Sequence, residues 1–272
     1  MRRAPAAAKL NLALVAGPLR PDGKHEVCTI LQRIDLADRV ELRPSTRLGV
    51  TGFAEDTIVR RALELLAQEA RVEPAWEARL TKRIPIASGL AGGSSDAATA
   101  LRLANETLAA PLNPSRLAEI ARTLGADVPF FLIPGPQLGT GDGSELAPLE
   151  LPQDYWVVVV LPDGVAKTSS ADVYAAFEAR GGADGFEARR ARVAELAPEI
   201  RRPRDLGLLP PNDLASSPVA DDLRALGAFR ADVTGAGPAV YGLFHRREDA
   251  EAARARIRSR GRAWMTVPCW YF

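Results

Sequence analysis

The sequence predicts an α+β protein of two domains, residues 1–152 and 153–272. Three observations carry this reading. The first third is rich in strand patterns, a glycine- and serine-rich loop at 85–95 opens into an amphipathic helix, and a Pro- and Gly-rich stretch at 133–152 precedes the apolar run 156–161. Residues 8–16 alternate, with Leu10, Leu12 and Leu14 on one face and Lys9, Asn11 and Ala13 on the other, which is the period of a strand. Pro21, Asp22 and Gly23 supply turn chemistry, and extended runs at 27–34 and 39–42 continue the sheet. Residues 57–70 place Ile58, Ala62, Leu65 and Leu66 at helical spacing, and 76–82 reads as a strand leading into the glycine loop.

The next helix has clear punctuation. Asn113 is its cap, Pro114 takes the first helical position, Leu117, Ile120, Ala121 and Leu124 form its buried face, and Gly125 ends it. Asp127 follows at once. Pro129 biases Val128 towards extended backbone, so Asp127 is expected at a defined exit from the helix. Beyond the boundary, helices are expected at 172–180, 186–196, 218–226 and 248–258 and a strand at 263–267. The run 230–244 is broken into two extended segments by Thr234-Gly235-Ala236-Gly237-Pro238. The arginines between 189 and 204 read as a solvated helix and loop.

Composition removes several classes of function. Thirty-five Lys and Arg against 34 Asp and Glu give a net charge of +1, so no basic field calls for nucleic acid. The longest strongly apolar run, 156–161, has the length of a buried strand and is too short to span a bilayer, and Lys9 and Asn11 interrupt the only segment resembling a signal peptide. Two cysteines, Cys28 and Cys269, suit neither a disulfide framework nor a metal knuckle, and fit a reducing cytoplasm. No cluster of His, Cys and carboxylates has metal-cage spacing.

The loop Pro85-Ile86-Ala87-Ser88-Gly89-Leu90-Ala91-Gly92-Gly93-Ser94-Ser95 is the most informative stretch. Its glycines allow tight turns and close approach to a ligand, and the helix that follows offers unpaired N–H groups and the positive end of its dipole, a combination that suits a phosphate. Ala97, Leu101, Ala104 and Leu108 line one face of that helix, with Ser94, Ser95 and Asp96 available as caps or first-turn partners. The loop lacks the Lys-Ser/Thr ending of a Walker A motif and is not a dinucleotide fingerprint.

With its Ser-Ser-Asp-Ala-Ala ending, the loop resembles the second motif of the GHMP kinases, and is most similar to their branch acting on 4-diphosphocytidyl-2-C-methyl-D-erythritol. Ala8-Lys9-Leu10-Asn11-Leu12, then Asp22-Gly23-Lys24-His25 and Leu36-Ala37-Asp38, resemble that branch's first motif. Thr234-Gly235-Ala236-Gly237 resembles its third, which supports the phosphate loop. The segment 124–131 is similar to the one carrying the family's catalytic aspartate, and Asn212-Asp213-Leu214 to a recurrent tripeptide. Lys24 stands where the branch carries Tyr, and Ala236 where it carries Ser.

The resemblance implies a two-domain GHMP fold, with an N-terminal nucleotide-binding domain, a C-terminal α+β domain and the active site in the cleft between them. It implies ATP bound by residues 85–95, Mg²⁺ carried largely by ATP phosphates and water, Asp127 as base and Lys9 as the charge beside it. It further implies substrate contacts from Asn11, Lys24, His25, Ser170 and Tyr174. Taken alone, an Asp at a helix exit is also a turn cap, a Lys on a strand also snorkels, and Tyr174 is equally a core residue. The expected activity is transfer of the ATP γ-phosphoryl group to the 2-hydroxyl of the diphosphocytidyl substrate, by a cytoplasmic monomer or weak homodimer. Another GHMP kinase of a small alcohol, or a catalytically silent member that binds a nucleotide or metabolite, stays open.

Overall fold

The computed structural model describes residues 1–54, 58–165 and 169–269. Strands β1 (Arg2–Leu19) and β2 (His25–Pro44) form one long antiparallel hairpin closed by the expected turn, where Arg20 N donates to Lys24 O at 2.7 Å. Strands β3 (Gly49–Thr51), β4 (Trp76–Thr81), β5 (Gln137–Thr140) and β6 (Glu145–Pro148) complete a six-stranded sheet of order β3-β4-β2-β5-β6, with β1 also on β2. The stretch 133–152 is therefore not only a connection. Its glycines and prolines bracket two short strands, and Leu138 pairs with Ile30 of β2.

The alternation read for 8–16 is interrupted. The β1/β2 register shifts between Asn11 and Ala13, a bulge that inserts one residue and swaps the faces beyond it. Leu10 and Leu12 pack into one core, whereas Leu14 packs with Val27, Phe177 and Leu214 in another and lines the same cleft as Lys9 and Asn11.

Helices α1 (Ile58–Ala70), α2 (Gly92–Asn105) and α3 (Pro114–Leu124) cover one face of this sheet through Val59, Leu63, Leu66, Ala97, Leu101 and Ile120. Thr57, where the sequence begins the first helix, lies outside the described residues. Nearly all of α2 from Ser95 to Asn105 is buried, so small alanines let it lie close against its neighbours; Leu108 falls beyond its end. Asn113 caps α3 as expected, its Oδ1 accepting from Arg116 N at 3.0 Å. Val128 is helical, not extended, at φ −64° and ψ −44°, because it leads into a 3₁₀ turn at Pro129–Leu132 in which Phe131 N donates to Val128 O.

The second sheet has the order β10-β7-β9-β8, all antiparallel, from β7 (Trp156–Pro162), β8 (Arg230–Val233), β9 (Val240–Phe244) and β10 (Gly261–Thr266). Helices α6 (Pro218–Ala225) and α7 (Arg247–Ile257) pack on it through Val219, Leu223, Ala250 and Ile257. Two more helices, α4 (Ser170–Ala179) and α5 (Phe186–Leu196), lie between β7 and α6 in the chain. Arg189 of α5 is not a solvated charge. It pairs with Asp213 at 3.0 Å and donates to the carbonyls of Ala16, Gly182 and Asp184.

Both halves contribute to one central core, in which Leu10, Leu12, Val15 and Ile30 meet Val157, Val159, Phe186, Val193 and Leu243. Buried Tyr241 adds a polar tie, donating to Asn11 O and accepting from Arg230 Nε, each at 3.1 Å. Among the described residues, no helix is long and apolar enough to cross a membrane. Tyr241→Phe should lower stability by about 1–3 kcal/mol, since it removes both hydrogen bonds and strands a buried guanidinium N–H. Urea unfolding measures this, with a loss below the detection limit contradicting it.

Candidate active site

A cleft of about 920 Å³ opens over the middle of β1 and β2, walled by the glycine loop, Asp127, α4 and the turn at 235–237. The loop reaches it through left-handed backbone at Ala87, Gly89 and Ala91. Glycine is required at position 89, where φ is +86° and a Cβ would sit 2.2 Å from Thr234 O. Ala91 is the N-cap of α2, and no side chain caps the helix; Ser94, Ser95 and Asp96 do not perform that task. The first-turn N–H groups are thus left without a side-chain cap. Gly93 borders open space, since a Cβ added there would have Ile58 Cγ2, at 3.7 Å, as its nearest neighbour.

The turn Thr234-Gly235-Ala236-Gly237 braces the loop from behind. Ala239 N donates to Ser88 O at 2.9 Å, and Asn212 Nδ2 donates to Val233 O and to Gly235 O at 3.0 and 2.7 Å. Asn212 therefore explains part of the tripeptide seen in the sequence, and Asp213 explains another, accepting from Ala16 N at 3.0 Å.

Lys9 lies beneath both elements. Its Nζ donates to Asn11 Oδ1 at 2.6 Å and stands 3.9 Å from Asp127 Oδ2. The lysine side chain is 4% exposed and that of Asp127 is 40% exposed, so the cation is hidden and the carboxylate faces the cleft. Burial pulls the Lys9 ammonium below the usual lysine pKa, and the Asp127 charge opposes that pull. Asn11 is held in turn. Its Nδ2 donates to Thr29 Oγ1 at 2.8 Å, its backbone N to Thr234 Oγ1 at 3.1 Å, and Thr29 Oγ1 donates to Ala13 O. The bulge lets Asn11 reach Thr29 while Lys9 stays under the loop.

The far end of the cleft gathers Lys24, His25, Ser170 and Tyr174. His25 and Tyr174 stack with centroids 4.6 Å apart and planes at 17°, and Phe177 meets the imidazole edge-on. Gly17 O, an acceptor, lies 2.9 Å from Nδ1 and so fixes the ring proton there, which leaves Nε2 facing Glu178 at 3.3 Å. Burial, with Asp127 nearby, pushes the Tyr174 phenol up to about 12. Lys24, half exposed at the rim of the cleft, pairs with Asp142 at 2.5 Å. Ser170 lines the cleft, and its neighbour Ser169 caps α4 by accepting from Asp172 N.

The structure thus brings Lys9, Asn11, Lys24, His25, residues 85–89 and 91–94, Asp127, Ser170, Tyr174 and 235–237 to one cleft. Leu90, Ser95 and Thr234 do not line it and are buried behind it. Sequence reasoning did not mark Lys82, Asp142 or Glu178 as site residues, although all three face the cleft.

Two family models match the chain, GHMP kinases N terminal domain over residues 57–135 and GHMP kinases C terminal over 188–263. The chain belongs to the GHMP kinase family. It is 37% identical to the 4-diphosphocytidyl-2-C-methyl-D-erythritol kinase of Geobacter sulfurreducens over 96% of each chain. It is 35% identical to that of Gloeobacter violaceus over 92% of this chain and 88% of the relative. A solved 4-(cytidine 5'-diphospho)-2C-methyl-D-erythritol kinase superposes with a TM-score of 0.79 at 32% identity, covering 98% of this chain and 99% of the other. Methanococcus jannaschii mevalonate kinase, at 14% identity, covers 98% of each chain with the same TM-score and shows the shared GHMP fold.

In this GHMP kinase the Asp142 carboxyl is pushed up by burial but pulled down further by Lys24 and Ser144, to about 2. Lys24→Met should raise it, so a carboxyl ¹³C titration should show the Asp142 midpoint moving up towards the usual carboxylate range. An unmoved midpoint would show that Ser144 alone holds it down.

Proposed function

We propose that the protein transfers the γ-phosphoryl group of ATP to the 2-hydroxyl of 4-diphosphocytidyl-2-C-methyl-D-erythritol, giving the 2-phosphate and ADP. The observation that carries the chemistry is the Lys9 ammonium 3.9 Å from the cleft-facing Asp127 carboxylate, beside a loop that leaves helix N–H groups open. The names of the relatives support the choice of acceptor.

Phosphoryl transfer needs the acceptor oxygen and the γ-phosphorus in line, a place for the hydroxyl proton and compensation for negative charge. Asp127 takes the proton as the new O–P bond forms and the bond to the β-phosphate oxygen breaks. Lys9 stands beside that carboxylate and stabilises charge on the acceptor oxygen, and Asn11 holds Lys9 in place. The glycine loop and the α2 N-terminus hold the ATP phosphates, with 234–237 as their support. Mg²⁺ would be carried on those phosphates and would offset their charge; the Ser94 hydroxyl and the Asp127 carboxylate, which line the cleft, are oxygen donors of the type that would hold it.

At the other end, the Glu178 carboxylate is an acceptor suited to the exocyclic amine of cytosine, beside the stacked His25 and Tyr174 rings and Ser170. Residues 1–152 supply the phosphate loop, Lys9 and Asp127, and 153–272 supply α4 and the bracing turn. A cytoplasmic setting is proposed as well, since the two cysteines, Cys28 and Cys269, are both buried and too few for a disulfide framework.

Incubation with ATP, Mg²⁺ and the diphosphocytidyl substrate should release ADP and give a new phosphomonoester ³¹P signal. ADP without that signal would reject the acceptor. Asp127→Asn, which keeps shape but not basicity, should lower kcat by about 10² to 10⁴ with ATP affinity near wild type. Near-wild-type turnover by the folded variant would rule out Asp127 as base.

A further inference from the structure

We propose that Lys82 is a positioning residue for ATP, its ammonium clamping the entrance of the phosphate loop to its exit through Asp38 and Asp96. This rests on the reading of 85–95 as the phosphate loop. Lys82 follows the last residue of β4, and its Nζ pairs with Asp38 Oδ2 and, at 2.5 Å, with Asp96 Oδ2. Asp38 belongs to β2 and Asp96 lies one turn into α2, and both are 1% exposed. The second oxygen of Asp38 accepts from the backbone N–H groups of Arg83 and Ile84, the residues immediately before the loop. Asp38 also abuts the loop's far end, since a Cβ on Gly92 would stand 3.3 Å from its Oδ2.

One cation therefore joins three elements around a segment whose backbone is left-handed at Ala87, Gly89 and Ala91. Such a segment gains little from its own contacts and depends on fixed ends to present its N–H groups in one arrangement. Burial pulls the Lys82 ammonium down, but Asp96 and Asp38 together raise it above the usual lysine value, so the bridge is charged. Without the ammonium, two buried carboxylates face one another unshielded and must separate or take up a proton. Either response moves Arg83, Ile84 or the first turns of α2. Lys9, Asn11 and His25 have their own partners and are untouched by it.

The test is calorimetric titration of ATP with Mg²⁺ into the full chain, paired with steady-state kinetics. Lys82→Met and Asp38→Asn should each raise the ATP Kd about tenfold, with the acceptor KM within about twofold of wild type. Asp38→Asn discriminates between roles, because it keeps an oxygen for Arg83 and Ile84 but removes the charge that Lys82 bridges. If Lys82 met the phosphates directly, Lys82→Met would weaken ATP and Asp38→Asn would leave it unchanged or tighter, and the clamp would be overturned. Unchanged ATP affinity in both folded variants would overturn it too. Should Lys82→Met fail to fold, Lys82→Arg takes its place. It keeps the cation and should hold ATP within about threefold of wild type, whereas a loss equal to that of Asp38→Asn contradicts the clamp. Gly93→Val separates this from the underlying reading. It should weaken ATP by filling the open space before α2, and unchanged affinity there would reject the loop as the phosphate site whatever Lys82 does.

Discussion

The structure turns on one buried ammonium. Lys9 is taken out of water in the middle of β1, with a neutral amide at 2.6 Å and the Asp127 carboxylate at 3.9 Å. Such a charge is costly unless it is surrounded by oriented dipoles. Much of the fold's local detail serves that requirement. The bulge after Asn11 brings its amide to Thr29, Thr234 secures the Asn11 backbone, and Gly235 is small enough to pass Lys9, where a Cβ would come within 3.2 Å of Nζ. Lys9 N also donates to Leu90 O, so the strand that carries the cation is fastened to the glycine loop.

This arrangement is possible because the two halves of the chain share a core. Leu10 and Leu12 point into apolar packing with β7, β9 and α5, while Lys9 and Asn11 point the other way into the cleft. A strand with one face in the shared core cannot move without disturbing both sheets, so the charged face is held rigid. The far end of the cleft is built differently, from α4 and the β5–β6 turn, where aromatic stacking of His25 on Tyr174 and the Lys24–Asp142 pair replace tight packing.

Much of this is legible in the sequence where a local rule has no competitor. Asn113, Pro114 and Gly125 bound α3, and the glycine loop announces the α2 N-terminus. Rules fail where tertiary contacts outweigh them. Pro129 disfavours helical backbone at Val128, yet the 3₁₀ turn that buries Phe130 and Phe131 places it there. The period of two along β1 cannot reveal an inserted residue, so it puts Leu14 on the wrong face. Asp96 looks like a cap, but its ion pair with Lys82 joins residues from a strand end and a helix that only the fold brings together. Asp142 sits in a turn, where an Asp is ordinary, and nothing local marks its pairing with Lys24, which is distant in the chain.

The central claim is that Lys9 and Asp127 act as one unit, with the carboxylate taking the hydroxyl proton and the cation beside it stabilising charge on the acceptor oxygen. A double-mutant cycle on kcat tests it most directly, using Lys9→Met, Asp127→Asn and the two together, each checked for folding. Residues that act as a unit lose little more together than the worse of the two alone, so the double variant should turn over within about tenfold of the slower single variant. If the two losses multiply, the residues contribute independently and the account of the buried ammonium is wrong.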